Sequence, residues 1–378
     1  MVTTVVLVAA ALLLASCGTT TSETTAPTTS VPPVVVTADP VAGAQNVSPD
    51  QVVTVTAAGG SIASVTVTAP SGALTGALSP DNTTWTSTTN LVPSTTYQVV
   101  ASLIDAAGTT TDQQWSFATG APSKVFRAVL TPGDNKVVGV GMPVTVTLNT
   151  AIPAAKHAAF ERLLTVSATP ATVGAWHWFS DTELHWRPKD YWKPQTKVHV
   201  EAAIAGYAAG GGAYGAKNVT LDYKIGDSHV SVVDVNTHKM TVSTNGVVAK
   251  VIPVSTGREQ YPTHGGIHVT SDKSNPEIMD SSTVGIPRNG PGGYYESVPW
   301  SVRISNSGEF VHAADWSTGA QGNSNVSHGC VNVSPADGEW FYNYTQIGDV
   351  VQVNGSPVQL QPTNGIGDWQ IPWAQWAN

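Results

Sequence analysis

Charge is scarce in this chain. Only 11% of its 378 residues are Asp, Glu, Lys or Arg, and the formal net charge is −9. No basic patch is available to grip a phosphate backbone and no zinc-knuckle spacing occurs, which excludes nucleic acid as a partner. Cysteine is scarcer still, with two residues, Cys17 and Cys330. A disulfide framework is therefore excluded, and at most a single bridge remains. No apolar run near the start is long enough for a comfortable membrane span. The one at 5–14 covers ten residues and has no Lys or Arg before it.

What fills the chain instead is Thr, Val, Ala and Gly, a composition that suits exported β-domains. The length allows two or three domains, each with a core of its own. The run at 5–14 reads as the apolar centre of a signal peptide. It ends in Leu14-Ala15-Ser16-Cys17-Gly18, which resembles a bacterial lipobox. That resemblance implies a lipoprotein signal peptide at 1–16, cleavage before Cys17 and lipid on its thiol and amino group. The expected location is the extracytoplasmic face of the cell membrane, held by the lipid anchor. An ordinary secretory signal is the alternative. Residues 17–33, rich in Thr, Ser and Pro, contain almost nothing that could form a core and read as a disordered linker. A lipidated Cys17 leaves Cys330 without a partner. A Cys17–Cys330 disulfide is the rival, and the position of Cys17 at the end of a flexible tether argues against it.

A repeat follows. Trp85, Pro93, Thr95 and Val99 recur as Trp186, Pro194, Thr196 and Val200, each pair 101 positions apart. Tyr97 and Val198 share the offset, as do Leu103 and Ile204. A fixed offset of this size argues for two copies of one β-module. Alternating stretches such as Val144-Thr145-Val146-Thr147-Leu148 have the strand period. Turn signals such as Pro80-Asp81-Asn82 separate them. Short strands at close spacing predict two tandem immunoglobulin-like β-sandwiches, at 34–121 and 122–225, without the antibody disulfide. Trp176, Trp178, Trp186 and Trp192 could form a glycan platform, but packing at the module junction is the better reading.

From Ser228 the pattern becomes a β-meander, with Asn245-Gly246 as a hairpin turn. Residues 272–300 read as a long Pro/Gly loop, of the kind that serves as a lid. Strands resume near Val302-Arg303-Ile304 and Glu309-Phe310-Val311-His312. Ser334-Pro335-Ala336-Asp337 is a helix start with an N-cap serine and Pro at the first position. The helix ends by Gly348. The dipole at its N-terminus would be a minor help to a thiolate at Cys330, which precedes the cap.

The chemistry lies in Ser327-His328-Gly329-Cys330-Val331-Asn332. A free thiol has a pKa of about 8.5 and needs a base to act as a nucleophile at neutral pH. An imidazole can take the proton and later return it to a leaving amine. His312 and His328 both qualify, and spacing does not choose between them. Alternatives stand beside this reading. Cys330 could be an inert core thiol and His312 a satisfied strand-end histidine. His312, His328 and Cys330 could together hold zinc, although a His-x-Cys pair is not the usual spacing. His264-Gly265-Gly266 could border the cleft.

His312, a gap, and then Ser-His-Gly-Cys-hydrophobic-Asn resembles the signature of the L,D-transpeptidase (YkuD) catalytic domain. The two Ig-like modules, a catalytic domain at 226–354 and a C-terminal tail at 355–378 resemble the lipid-anchored mycobacterial members. The resemblance implies a mainly β chain whose β-rich catalytic domain carries a short helix and packs against its own tail. It implies Cys330 as nucleophile and His312 as base, oriented by the carbonyl of Ala313. His328 and Gly329 would shape the turn and, with the Cys330 amide, the oxyanion pocket. Tyr294, Ser307, Gly308 and Asn332 match substrate-lining positions. Val284 replaces a second lid aromatic. The stretch at 208–212 lacks the acids of a calcium loop, and no metal or cofactor is called for. The implied partners are peptidoglycan stem peptides as substrates and carbapenem β-lactams as acylating inhibitors. The implied reaction is 3→3 cross-linking through a thioester. An L,D-carboxypeptidase and a catalytically dead wall-binding module are the alternatives.

Overall fold

A computed structural model describes residues 32–378. The apolar run at 5–14, Cys17 and its flanking tetrad, and all but the last two residues of the 17–33 linker lie outside the described residues. Alternating valines and threonines build the first sandwich. Its two sheets comprise Val35–Asp39, Thr54–Ala58, Thr84–Ser87 and Gly76–Leu78 on one side, and Gly72–Ala73, Gly60–Ala69, Thr96–Asp105 and Thr110–Ala118 on the other. The second sandwich repeats the plan over 124–225. Trp85 and Trp186 occupy equivalent strands, and each is nearly buried against a glycine, Gly76 and Gly174. A Cβ on Gly76 would lie 2.0 Å from the Trp85 ring and one on Gly174 2.1 Å from Trp186, so only glycine lets the indoles lie flat there. The repeat seen at offset 101 is thus a repeat of core positions, with Tyr97 and Val198, and Leu103 and Ile204, all buried.

The sandwich tryptophans do not form the junction between modules. Trp186 and Trp192 lie inside the second core, their ring centroids 5.2 Å apart. Trp178 donates its indole N–H to Glu161 at 2.7 Å and stacks on His157.

The part from His229 to Asn354 joins a five-stranded and a four-stranded sheet. The first runs Val247–Pro253, Lys239–Thr244, His229–Asp234, Val350–Asn354, Gly266–Val269. The second runs Asp272–Ser274, Ser301–Arg303, Phe310–Ala313, Val331–Val333. Val242, Ile252, Val302, Val311, Val331 and Phe341 are buried together between the sheets and the Pro335–Tyr344 helix. That helix starts as its sequence requires, with Ser334 Oγ accepting from the Asp337 amide at 3.2 Å.

Two expectations change. The segment at 272–300 is not one long loop. Glu277–Asp280 and Tyr295–Val298 form an antiparallel hairpin, with a short 3-10 turn, Ser281–Val284, capped by Asp280. Apart from the buried Val298 these strands are at least partly exposed, so they lack the apolar alternation that marks a strand in sequence.

The tail also behaves differently. Leu360 and Gln370 tie it to the sheet that holds Gly266–Val269, where Leu360 pairs with Gly265 and Gln370 donates to the Ile267 carbonyl at 2.7 Å. Its end packs on the second sandwich instead. The Arg187 guanidinium lies 4.5, 5.4 and 4.6 Å from the ring centroids of Trp369, Trp373 and Trp376. Trp376 is fully buried and donates to the Ala175 carbonyl at 2.9 Å. Desolvated aromatic faces around a guanidinium make a favourable cation–π site, and Arg187 of the sandwich supplies that guanidinium. The tail therefore straps the second sandwich to the part from His229 to Asn354.

Candidate active site

Strand register brings the motif residues together. Phe310–Ala313 and Val331–Val333 run parallel, with His312 opposite Asn332. Successive side chains alternate between faces. Val311, Val331 and Val333 enter the core. His312 and Asn332 face the other way, and so does Cys330, two residues before Asn332. Cys330, His312, His328, Tyr294 and Asn332 line one cleft of about 520 Å³, roofed in part by Met279, Gly292, Gly293 and Glu296 of the hairpin.

The His312 ring is nearly buried, and its Nδ1–H donates to the Ala313 carbonyl at 2.9 Å. That bond fixes the tautomer with Nε2 as the acceptor. Burial pushes the imidazole down to about 4, only partly offset by the Ala313 bond. Cys330 is half-buried and is a free thiol. Its sulfur donates to the Gly308 carbonyl at 3.6 Å. Burial pushes the thiol up to about 12, and the Glu309 carboxylate adds to this, while the Phe310 amide and Arg303 work the other way. At neutral pH the resting pair is therefore a thiol beside a neutral imidazole, not a thiolate beside an imidazolium. A strand, Val331–Val333, separates Cys330 from the helix, so the helix dipole contributes little there.

His328 does not face the sulfur as a second base. Its Nε2 lies 2.5 Å from the Arg258 guanidinium, and its ring packs against Tyr261 and Tyr294 at 5.0 and 5.2 Å. Burial, and then the Arg258 charge, hold it neutral. The zinc arrangement fails for the same reason. Among the described residues no three His, Cys, Asp or Glu side chains are arranged to hold a metal ion.

Gly329 has φ of +119°, a left-handed turn that glycine adopts freely. Its amide is already engaged by Ser327 Oγ at 3.1 Å, so it shapes the turn but has no free N–H to offer an oxyanion. The Cys330 amide has no acceptor among the described residues. Asn332 is a buried tie. Its Nδ2 donates to Ser317 Oγ at 3.0 Å and its backbone pairs with Ser255. Tyr294 keeps its proton, pushed up to about 12 by burial first and by nearby negative charge second.

Ser307 is not brought to the cleft. Its amide and hydroxyl bond Asn364 of the tail, at 2.8 and 2.9 Å. The left-handed Gly308, φ +86°, turns the chain so that only the Gly308 carbonyl reaches the sulfur. Val284 lies over this turn, 3.2 Å from where a Gly308 Cβ would sit.

Residues 228–353 match the family described as the L,D-transpeptidase catalytic domain, and residues 44–208 match a bacterial Ig domain. The chain is 41% identical to L,D-transpeptidase 2 of Mycobacterium tuberculosis (strain CDC 1551 / Oshkosh), over 90% of this chain and 83% of that protein. The chain belongs to the L,D-transpeptidase family. L,D-transpeptidase 5 of Mycobacterium tuberculosis (strain H37Rv) is 35% identical over 91% of this chain and 76% of its own length. Among solved structures, the LD transpeptidase LdtMt1 in complex with imipenem aligns at TM-score 0.53 and 34% identity, covering 60% of this chain and 97% of that one. L,D-transpeptidase 3 from Mycobacterium tuberculosis in complex with a faropenem-derived adduct aligns at TM-score 0.52 and 36% identity, covering 60% of this chain and 97% of that one.

Within this L,D-transpeptidase, several residues of the site carry no motif signal. Arg258 holds His328 through its guanidinium. Trp316 stacks over His312 at 5.9 Å and is 57% exposed, an open aromatic wall beside that imidazole. Its position four residues after His312, in the turn that follows the strand, was the one clue available. Ser317 and Glu309 act from beneath and are invisible without the fold.

Proposed function

We propose that this L,D-transpeptidase works by cysteine acyl transfer on peptidoglycan stems. The reading is carried by one observation: a tautomer-fixed imidazole and a free thiol share a cleft on adjacent parallel strands. The Cys330 sulfur attacks the carbonyl joining the third stem residue to D-Ala. Its proton passes to His312 Nε2 as the C–S bond forms, since neither group is charged beforehand. The Cys330 amide receives the developing oxyanion. Collapse breaks the C–N bond, His312 returns the proton to the leaving D-Ala amine, and a thioester remains. A side-chain amine of a second stem then attacks the thioester. His312 accepts the amine's proton and delivers it to the departing sulfur, which restores the thiol and leaves an amide cross-link. A hairpin that sheds water from the thioester favours the amine over hydrolysis.

Carbapenems acylate the same sulfur in this proposal, in keeping with the imipenem and faropenem-derived complexes of the relatives. The chain acts outside the cytoplasm, anchored through lipid on Cys17. Radiolabelled palmitate incorporation that is lost in Cys17→Ala tests the anchor.

The deciding experiment incubates purified protein with a tetrapeptide stem. Cross-linked dimer and free D-Ala are expected, and both vanish in Cys330→Ala. Tripeptide with D-Ala and no dimer would mean a carboxypeptidase. Unchanged stem would mean a wall-binding module.

A further inference from the structure

Behind the nucleophile lies an ion pair that the acyl-transfer scheme does not use. Glu309 is 4% exposed and sits between Gly308, whose carbonyl accepts the thiol's hydrogen bond, and Phe310, whose amide faces the sulfur. Its side chain leaves the strand on the side away from the cleft. There Oε1 accepts from both the His264 amide and the His264 ring Nδ1, at 2.8 and 2.9 Å. Oε2 is buried with no partner. The Gly329 Cα rests on this carboxylate arm, and a Cβ there would lie 3.5 Å from Glu309 Cγ. From the same loop as His264, Thr263 Oγ1 donates to the Gly329 carbonyl at 2.7 Å. The loop and the carboxylate thus close on the Gly329-Cys330 turn from two sides.

A half-satisfied carboxylate in a buried site costs stability unless something compensates. Here the compensation comes from His264. Burial works against the Glu309 charge, but the hydrogen bonds from the His264 ring and amide outweigh it and hold the carboxyl ionised. Glu309 in turn favours the protonated His264 ring. His268 is fully buried, with one ring nitrogen 2.8 Å from the His264 carbonyl and the other 3.0 Å from that of Ile304. The other titratable groups facing this cluster are Arg303, whose guanidinium lies 4.2 Å over the Phe310 ring, and Cys330 itself. His312 and Tyr294 face the sulfur from the cleft side.

We propose that Glu309 and His264 form a positioning pair that seats the Gly329-Cys330 turn and sets the reactivity of the thiol from behind. The Glu309 charge opposes thiolate formation at Cys330 and so keeps the sulfur protonated until His312 takes the proton in the transition state. Its effect on turnover rests on the acyl-transfer reading. Its effect on the thiol does not.

The test measures iodoacetamide alkylation of Cys330 against pH in the full chain, for wild type, Glu309→Gln and His264→Asn. Glu309→Gln keeps the shape and an acceptor for His264 but removes the charge. Its alkylation profile is expected to move to lower pH, with about threefold faster modification at pH 8, the factor that half a pKa unit supplies. His264→Asn leaves the carboxylate without its cation and is expected to move the profile the opposite way. A merely structural role would move neither profile in a charge-dependent direction. His264 is on a partly exposed loop, so its variant carries the test if Glu309→Gln does not fold. Profiles that coincide with wild type in the folded variants overturn the proposal. Shifted profiles in a protein that leaves stems unchanged would instead overturn the acyl-transfer reading and leave this pair's role standing.

Discussion

The Nδ1–H of His312 donates to the carbonyl of Ala313, the next residue in its own strand, at 2.9 Å. A carbonyl orients the ring without adding a negative charge beside it. Burial is therefore unopposed by any carboxylate, and the imidazole stays neutral down to about pH 4. The same burial keeps the thiol protonated. Thiol and ring are thus both uncharged at neutral pH.

Two pH profiles follow from that pair. Alkylation of free Cys330 by iodoacetamide needs the thiolate, so its rate is expected to keep climbing through pH 9 and 10 without a plateau. Acylation by imipenem, routed through His312 in the proposed scheme, is expected to be nearly flat from about pH 5 to 8, falling only as the ring protonates near 4. A plateau in alkylation below pH 8 would mean a preformed thiolate and would contradict the neutral pair.

Replacing His312 tests its proposed role in proton transfer separately from binding. His312→Asn removes the acceptor nitrogen and leaves Cys330, Tyr294 and the cleft in place. The expected loss in the acylation rate is about 10²–10⁴-fold, the usual worth of a general base, with KM changed little. Rates within threefold of wild type would move the base role elsewhere.

Much of this site could be read before the fold was known, because its parts are local. The Ser327–Asn332 string, the strand ending in His312 and the Ser334-Pro335 helix start are short patterns with a physical cause each. The Trp85 and Trp186 offset likewise reflected a core position used twice. What sequence did not carry was anything made by long-range contact. Ser307 is taken from the cleft by Asn364, 57 residues later in the chain. His328 chooses Arg258 over the sulfur. Glu309 reads as one more surface acid until His264 is found beside it. The hairpin at Glu277–Asp280 and Tyr295–Val298 has no apolar stripe to announce it.

The strap at the C-terminus should matter for stability. Trp376 is fully buried against His177 and Phe179, with ring centroids at 4.8 and 6.0 Å. Trp376→Ala empties that site and is expected to cost about 3–5 kcal/mol. Differential scanning calorimetry should show a lower melting temperature for the second sandwich. An unchanged thermogram would mean that the tail is an ornament on a sandwich that is complete without it.

The same strap is expected to respond to alkali. His185 Nδ1 lies 2.9 Å from Asp368, a fully buried carboxylate of the tail, and Nε2 lies 3.1 Å from Glu183. Burial works against a charged ring, but the hydrogen bonds to Asp368 and Glu183, and then their charges, outweigh it and raise the imidazole to about 9. The folded chain thus holds this proton more tightly than the unfolded one, whose histidine titrates near 6.5. The extra stability, on the order of 3 kcal/mol, is present in full below about pH 6.5 and is lost as pH rises to about 9. Urea midpoints measured from pH 6 to 10 should fall across that window in wild type. In His185→Gln the fall should be absent, from a lower starting value. A wild-type midpoint that holds steady to pH 10 would show that Asp368 is neutralised by Arg187 instead, and that the histidine is a bystander.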